Sequence, residues 1–160
     1  MTLVVSDTTP LNYLVLIGQI DVLPRLFGKL LVPPAVIREM QHPKAPSAVS
    51  AWAANLPSWI EVKAPLTDLH LGIGAGEDEA ISLAVELGDA TLLMDDVRAR
   101  NAARSRGILT IGTLAILDLA DEAKLLDFET AILRLKATSF HVDDALLQPL
   151  LARARARKNA

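Results

Sequence analysis

The strongest constraint on the fold of this chain is a repeated alternation between short apolar runs and longer segments with helical spacing. The apolar runs lie at Leu3–Ser6, Lys29–Val32, Thr91–Met94 and Leu109–Ile111, with a weaker one at Ile60–Lys63. Strands that alternate with helices usually form parallel sheets, because each helix returns the chain to the same edge. The pattern therefore predicts an α/β fold with a parallel sheet wrapped by helices, and Ile60–Lys63 is expected at an edge.

Capping and turn residues place the helices between these runs. Prolines stand where a first helical turn tolerates them, and glycines follow several helix ends. We predict helices at Pro10–Ile17, Pro33–Met40, Ala48–Ala54, Gly76–Leu87, Val97–Arg106 and Leu114–Ala120, with two more helical stretches completing the chain.

Length and composition favour one compact unit. With 160 residues, 51% of them apolar, the chain can bury one full core, so we expect a single domain over residues 1–160 with 121–160 as a helical carboxyl-terminal extension. The absence of cysteine excludes disulfides and thiolate metal sites and fits a reducing cytoplasm. The segment before Asp7 lacks the features of a signal peptide or membrane span, so no membrane association is expected.

Basic residues are unevenly distributed. The formal net charge is −3, yet eleven of the 16 basic residues lie from Arg98 onward. Arg98, Arg100 and Arg104 are therefore candidates for contact with a nucleic-acid backbone. A solvated helix face explains the same residues equally well.

Acidic residues occur where a parallel sheet would bring them together. Asp7 ends the first strand, Glu39 lies on the helix after the second, Glu77 and Glu79 begin a long helix, and Asp95 and Asp96 follow the Thr91–Met94 strand. In open parallel sheets the functional crevice lies beyond the carboxyl ends of the strands. We therefore expect these carboxylates to meet at one edge.

Carboxylates that meet in a small space repel one another unless one is protonated or a cation is present. Mg²⁺ and Mn²⁺ prefer hard oxygen ligands and keep several waters, so a few carboxylates can hold them. Such a site can hydrolyse a phosphodiester, because bound metal lowers the pKa of water and stabilises the leaving oxygen. Metal-assisted hydrolysis is the reaction class that this pattern favours.

Each acidic residue also has a structural explanation. Asp7 can cap the following helix, and Glu39 can be an ordinary exposed residue. Residues two apart on a helix diverge by about 200°, so either Glu77 or Glu79 is expected to dominate. Asp95 is the first choice of its pair, and Asp96 can serve as ligand, cap or both.

Several ordered segments of the chain resemble the PIN-domain family. They are Val4–Leu11, Val32–Glu39, Gly76–Ile81, Leu92–Arg100, Gly107–Ile108 and Ile111–Leu114, and together they extend over about residues 3 to 120. The third segment carries Glu-x-Glu where the commoner toxins have a lone aspartate before alanine, and the fourth carries paired aspartates. The chain is thus more similar to a less-studied branch of predicted PIN proteins.

The resemblance implies a three-layer α/β/α fold and a Mg²⁺- or Mn²⁺-dependent ribonuclease, often the toxin half of a VapC-type toxin–antitoxin pair. By motif, the catalytic ligands are Asp7, Glu39, Glu79 or Glu77, and Asp95 or Asp96. Thr8 and Thr113 match small hydroxyl residues that support such sites. RNA is the implied substrate, an antitoxin a possible partner, and a homodimer the implied assembly.

Other interpretations compete with this one. The run Gly72–Gly76 lacks the last glycine of a dinucleotide-binding motif, and the three histidines show no zinc-ligand spacing. The carboxyl-terminal segment Leu146–Leu151 and the arginines after it suit dimer packing, antitoxin docking or a solvated tail. The main alternative function is a PIN-like module that binds RNA or protein with little turnover.

Overall fold

The computed structural model describes residues 2–160 and shows a five-stranded parallel sheet. Its strands are β1 (Leu3–Ser6), β2 (Leu30–Val32), β3 (Ile60–Val62), β4 (Ala90–Leu93) and β5 (Leu109–Ile111). They lie in the order β3-β2-β1-β4-β5, and every neighbouring pair is parallel. The predicted strands are confirmed, and β3 lies at one edge as expected.

Nine helices lie within residues 2–160. They are α1 (Thr8–Leu16), α2 (Val22–Phe27), α3 (Pro34–Met40), α4 (Ser47–Ala54), α5 (Ala75–Leu87), α6 (Val97–Arg104), α7 (Thr113–Glu122), α8 (Phe128–Lys136) and α9 (Asp144–Lys158). Every predicted helix is present, with ends shifted by a few residues. Helix α2 was not predicted, because six residues that include Pro24 carry little periodicity. In this part of the chain no helix has both the length and the apolar character needed to cross a membrane.

Apolar clusters cover both faces of the sheet. Successive residues of a strand point to opposite faces, so Val4 belongs to one cluster and Val5 to the other. The Val5 cluster includes residues of α5 and α6, and the Val4 cluster includes residues of α1 to α4 and α7 to α9. This arrangement is the three-layer α/β/α fold. Trp52 and Trp59 pack against each other with ring centroids 6.1 Å apart.

The carboxyl-terminal helix is held to the preceding helices by ion pairs. Arg157 binds Asp118 at 2.9 Å and Asp121 at 2.8 Å, and Arg153 lies 3.3 Å from Asp118. Arg155 and Lys158 pair with Glu129 and Asp127, each at 2.8 Å. We call these eight residues the carboxyl-terminal clasp. The alternate arginines are therefore engaged within the chain and do not form a solvated tail.

The strand order fixes where a site can form. Strand β1 is central, and the chain moves from it to β2 on one side and later to β4 on the other. Ser6 and Leu93 are register partners at the carboxyl ends of β1 and β4. The crevice at such a switch point is where open α/β sheets bind ligands. Asp7 and Asp95 follow these two strands.

Candidate active site

Asp7 lies at the centre of the predicted acidic group. Its backbone N–H donates a 2.9 Å hydrogen bond to Leu93 O, which extends the β1–β4 pairing by one residue. Its side chain is 2% exposed and makes no capping hydrogen bond to α1. Among the buried side-chain polar atoms of residues 2–160, only Asp7 Oδ1 has no hydrogen-bond partner. A helix-capping role therefore does not explain Asp7.

Burial raises the pKa of Asp7 to about 7. The Thr8 N–H lowers it in part, and the charges of Glu77, Glu39 and Asp95 raise it further. Three carboxylates from three other segments therefore act on one buried aspartate. A carboxylate left without a partner in a low-dielectric site is costly, so this position favours a bound cation or a proton.

Glu39 is exposed on α3 and is oriented by two donors. The Thr8 hydroxyl donates a hydrogen bond to it, and the Gly76 N–H donates a second of 2.9 Å. A Cβ at position 76 would lie 2.7 Å from Glu39 Oε2 and 2.8 Å from Oε1. Glycine is thus required at this position of α5 for Glu39 to keep its place.

The three acidic residues at the start of α5 point to different partners. Asp78 accepts hydrogen bonds from Gly72 N and Ile73 N, at 3.0 and 3.2 Å, and so fixes the loop before the helix. Glu79 accepts from Ala35 N at 3.1 Å and lies 3.5 Å from an Arg38 nitrogen. The side chains of Asp78 and Glu79 therefore hold the loop before α5 and the helix α3 in place.

Glu77 lies instead where its charge interacts with those of Asp7, Glu39 and Asp96. Burial raises its pKa, and the charges of Asp96 and Glu39 add to this effect. Of the two alternatives that the sequence left open, the charge of Glu77 acts on Asp7, whereas Glu79 contacts Ala35 N and Arg38.

Asp95 and Asp96 divide their roles. Asp95 accepts hydrogen bonds from the Thr113 N–H at 2.8 Å and the Thr113 hydroxyl at 2.6 Å. Burial raises the pKa of Asp95, while these two bonds and the charge of Arg100 oppose that rise. Asp96 caps α6 by accepting from Ala99 N at 2.9 Å, and it is close enough to Glu77 to raise the pKa of Glu77.

The structure thus brings Asp7, Glu39, Glu77, Asp95 and Asp96 to one edge, and we call these five residues the acid group. Within residues 2–160 no three His, Asp or Glu side chains converge tightly enough to share a metal ion as they stand. Mg²⁺ usually keeps several waters and binds through one or two carboxylates. The hard oxygen donors and the unpartnered Asp7 Oδ1 therefore fit such an ion.

The three predicted arginines occupy different positions on α6. Arg98 and Arg104 are exposed, and the charge of Arg98 lowers the pKa of Glu77 in part. Arg100 is half-buried, and its Nε lies 3.4 Å from Thr110 Oγ1. Burial and the neighbouring Arg104 lower the pKa of Arg100. Positive charge thus lies beside the acid group, on the helix that Asp96 caps.

Comparison with known proteins defines the class to which this fold and site belong. The family model DUF3368, described as a PIN domain, matches residues 3–156. The chain belongs to the PIN-domain family. PIN domains are generally nucleases and typically use divalent metals. No curated protein matches the chain at a significant level.

Gly76 is a residue of the site that the sequence did not reveal. The available signal was a glycine inside the first turn of a helix, where it costs about 1 kcal/mol relative to alanine. A glycine kept at such a position indicates a close approach by another group, which here is the Glu39 carboxylate.

Proposed function

We propose that this chain is a Mg²⁺- or Mn²⁺-dependent endoribonuclease that hydrolyses RNA phosphodiesters. The observation that carries the proposal is the buried Asp7 carboxylate, which has an unpartnered oxygen and three acidic neighbours in a PIN-domain chain. The charges of these neighbours oppose ionisation of Asp7, and a cation bound at this edge would relieve that repulsion.

The proposed ligands are the acid group. Asp7 and Asp95 are the central pair, since Asp7 is buried, Asp95 is half-buried, and they follow adjacent parallel strands. Glu77 and Glu39 complete the group from α5 and α3, with Asp96 at its rim. Thr8 and Thr113 orient Glu39 and Asp95 through their hydroxyls. Glu79 is assigned to the contact between α5 and α3.

A divalent ion held here would supply Lewis-acid stabilisation of the phosphodiester and an ionised water at neutral pH. The chain itself supplies orientation and charge. The hydrogen bonds from Thr113 keep Asp95 in one rotamer, and Arg98 and Arg100 offer positive charge for the RNA backbone near the negatively charged group.

The direct test replaces carboxylates without changing their shape. We expect Asp7→Asn and Asp95→Asn to abolish Mn²⁺-dependent cleavage of RNA while circular dichroism shows the same fold. Asp21→Asn is the matched control, because Asp21 is an exposed carboxylate that makes no side-chain cap on α2. Cleavage that survives both site variants would refute the assignment.

Calorimetry separates the enzyme from a non-catalytic binding module. A nuclease site should bind Mn²⁺ in wild type and lose that binding in Asp7→Asn. A module that binds RNA without a working site should show no carboxylate-dependent Mn²⁺ binding. That result would refute the nuclease and favour the non-catalytic binding module.

The proposal extends to a cellular role as the toxin of a toxin–antitoxin pair, acting on RNA in the cytoplasm as a homodimer. The support is the motif resemblance within the PIN-domain family. Induced expression should arrest growth of a bacterial host, Asp7→Asn should not, and the product of an adjacent small reading frame should restore growth. Growth unaffected by the wild-type chain would refute the toxin role, and sedimentation as a monomer would refute the dimer.

A further inference from the structure

A cavity of about 670 Å³ adjoins the acid group. Asp95 and Asp96 form the wall that it shares with that group, and Arg100 from α6 lies next to them. Other parts of the lining come from α1 and from the segment between α8 and α9, through Tyr13, Phe140 and His141. Its volume is within the usual range of small-molecule sites, about 300–1,000 Å³.

Arg100 gives the cavity a cationic group that the fold leaves available. Its backbone N–H is used in the helix, where it donates to Asp96 O at 2.8 Å. Its guanidinium makes one long hydrogen bond, 3.4 Å to Thr110 Oγ1, and no salt bridge to any of residues 2–160. By contrast, Arg153, Arg155 and Arg157 are all paired. The charge of Asp95 acts on the Arg100 guanidinium without forming a salt bridge, so its five N–H groups remain available to a phosphate, whose geometry they match.

An aromatic pair also lines the cavity. Tyr13 and Phe140 pack edge to face with ring centroids 5.0 Å apart and an interplanar angle of 77°. The Tyr13 hydroxyl and Ser139 Oγ are 2.8 Å apart, which fixes the ring. Both rings are half-buried, so each keeps part of its surface open. Aromatic rings that are held this way are surfaces on which nucleobases stack.

We propose that this cavity binds one nucleotide of the RNA strand beside the bond that is cut, with its phosphate on Arg100 and its base against Tyr13 and Phe140. The inference rests on the proposed nuclease function for the identity of the strand. The cavity shares Asp95 and Asp96 with the acid group, so a nucleotide bound there places the adjoining phosphodiester at the carboxylates. An apolar peptide would offer no phosphate to the Arg100 N–H groups, which favours the nucleotide.

The test measures binding of nucleoside 5′-monophosphates by calorimetry, because these ligands contain no phosphodiester bond and are not cleaved. We expect saturable binding in Mg²⁺ that Arg100→Met weakens about tenfold or more, since it removes a charged hydrogen bond. Phe140→Leu keeps an apolar side chain but removes the ring, and we expect about tenfold weaker binding. Arg25→Met is the control, because Arg25 is exposed on α2 and does not line the cavity.

Further ligands and variants separate the parts of the proposal. Ribose 5-phosphate lacks the base and should bind more weakly than any nucleotide. Equal affinity for both would overturn the role of Tyr13 and Phe140. If Arg100→Met does not fold, Arg100→Lys decides the role of Arg100. It retains charge without the planar fork and should still bind more weakly than wild type.

Failure of this inference is distinguishable from failure of the proposed nuclease. Nucleotide binding in EDTA that needs Arg100, together with no cleavage of RNA, would keep the cavity assignment and refute the nuclease. Metal-dependent cleavage by a chain that binds no nucleotide, or that binds it equally in Arg100→Met, would overturn the cavity assignment alone.

Discussion

The Gly76 N–H donates a 2.9 Å hydrogen bond to Glu39, and a Cβ at position 76 would lie 2.7 Å from the same carboxylate. Both facts follow from the close approach of Glu39 to the first turn of α5. The turn holds Glu39 at the acid group by a hydrogen bond, and it leaves no room for a Cβ at residue 76. The absence of a side chain at residue 76 is therefore a requirement of the site and not of the helix.

Replacing Gly76 should weaken metal binding at the site without destabilising the fold. Alanine is favoured over glycine in a helix by about 1 kcal/mol, so Gly76→Ala should not destabilise α5 itself. The added Cβ displaces Glu39, and we expect about tenfold weaker Mn²⁺ binding by calorimetry with little change in melting temperature. Gly74→Ala is the control, because its backbone is extended and a Cβ there meets the nearest Glu77 atom at an ordinary 3.5 Å. Equal Mn²⁺ affinity in the two variants would contradict the role of Gly76.

Asp7 should make the metal-free protein less stable as pH rises. Its pKa is about 7 in the folded protein against 3.8 in the unfolded chain, so the folded state binds the extra proton between these values. The contribution of protonated Asp7 is fully present below pH 3.8 and is lost as pH rises through 7. The difference corresponds to about 4 kcal/mol.

The measurement is urea unfolding of wild type and Asp7→Asn in EDTA from pH 4 to pH 8. The free energy of unfolding of wild type should fall relative to that of Asp7→Asn across this range, and Mg²⁺ should restore it at pH 8. Parallel pH profiles for the two proteins would show that Asp7 ionises in the folded state as easily as in the unfolded chain.

Glu77 and Glu79 should respond differently to the same substitution. Glu77→Gln removes a charge that acts on Asp7, so Mn²⁺ binding should weaken about tenfold. Glu79→Gln alters a residue that contacts Ala35 N and Arg38, so it should cost about 1 kcal/mol of stability and leave Mn²⁺ affinity within about twofold. Each variant is the control of the other, and weaker Mn²⁺ binding in Glu79→Gln alone would reverse the assignment.

The sequence predicted much of the fold because its signals are local. Strands such as Ala90–Leu93 are continuous apolar runs, since a central parallel strand is buried on both faces. The carboxyl ends of such strands also predicted where Asp7 and Asp95 would meet. Helix α2 carries no comparable pattern and escaped prediction.

The finer features of the site depend on contacts between distant segments. The proposed choice of Glu77 over Glu79 rests on the contacts of Glu79 with Ala35 N and Arg38, about 40 residues away in the sequence. The sequence allowed the arginines of α9 to form a solvated tail, whereas the structure pairs Arg155 with Glu129 and Arg157 with Asp118. The position of a charged residue in the sequence does not show which opposite charges lie near it in the folded protein.

The hydroxyl of Thr113 should lower the pKa of Asp95. That hydroxyl donates a 2.6 Å hydrogen bond, which lowers the pKa of Asp95 against the effect of burial. Thr113→Val removes the bond, so the pKa of Asp95 should rise and the acidic limb of the pH–rate profile should move to higher pH. Thr113→Ser keeps the hydroxyl and should keep the profile, whereas a shift of equal size in both variants would point to packing as the cause.

The carboxyl-terminal clasp should stabilise the fold without taking part in the site. The Asp118 side chain is 6% exposed and its partner Arg157 is 25% exposed, so Arg157→Met leaves a buried carboxylate with one fewer partner. Breaking such a pair costs about 2 to 4 kcal/mol, less than a fully buried pair because Arg157 is partly solvated and Arg153 remains.

Arg155→Met is the matched control on the same helix. Its pair with Glu129 is 59% and 36% exposed, so this substitution should cost clearly less stability than Arg157→Met. Urea unfolding in low salt measures both losses, and Mn²⁺ affinity should stay unchanged in each variant, because the clasp lies outside the acid group. Equal destabilisation by the two substitutions would show that burial of Asp118 does not set the strength of the clasp.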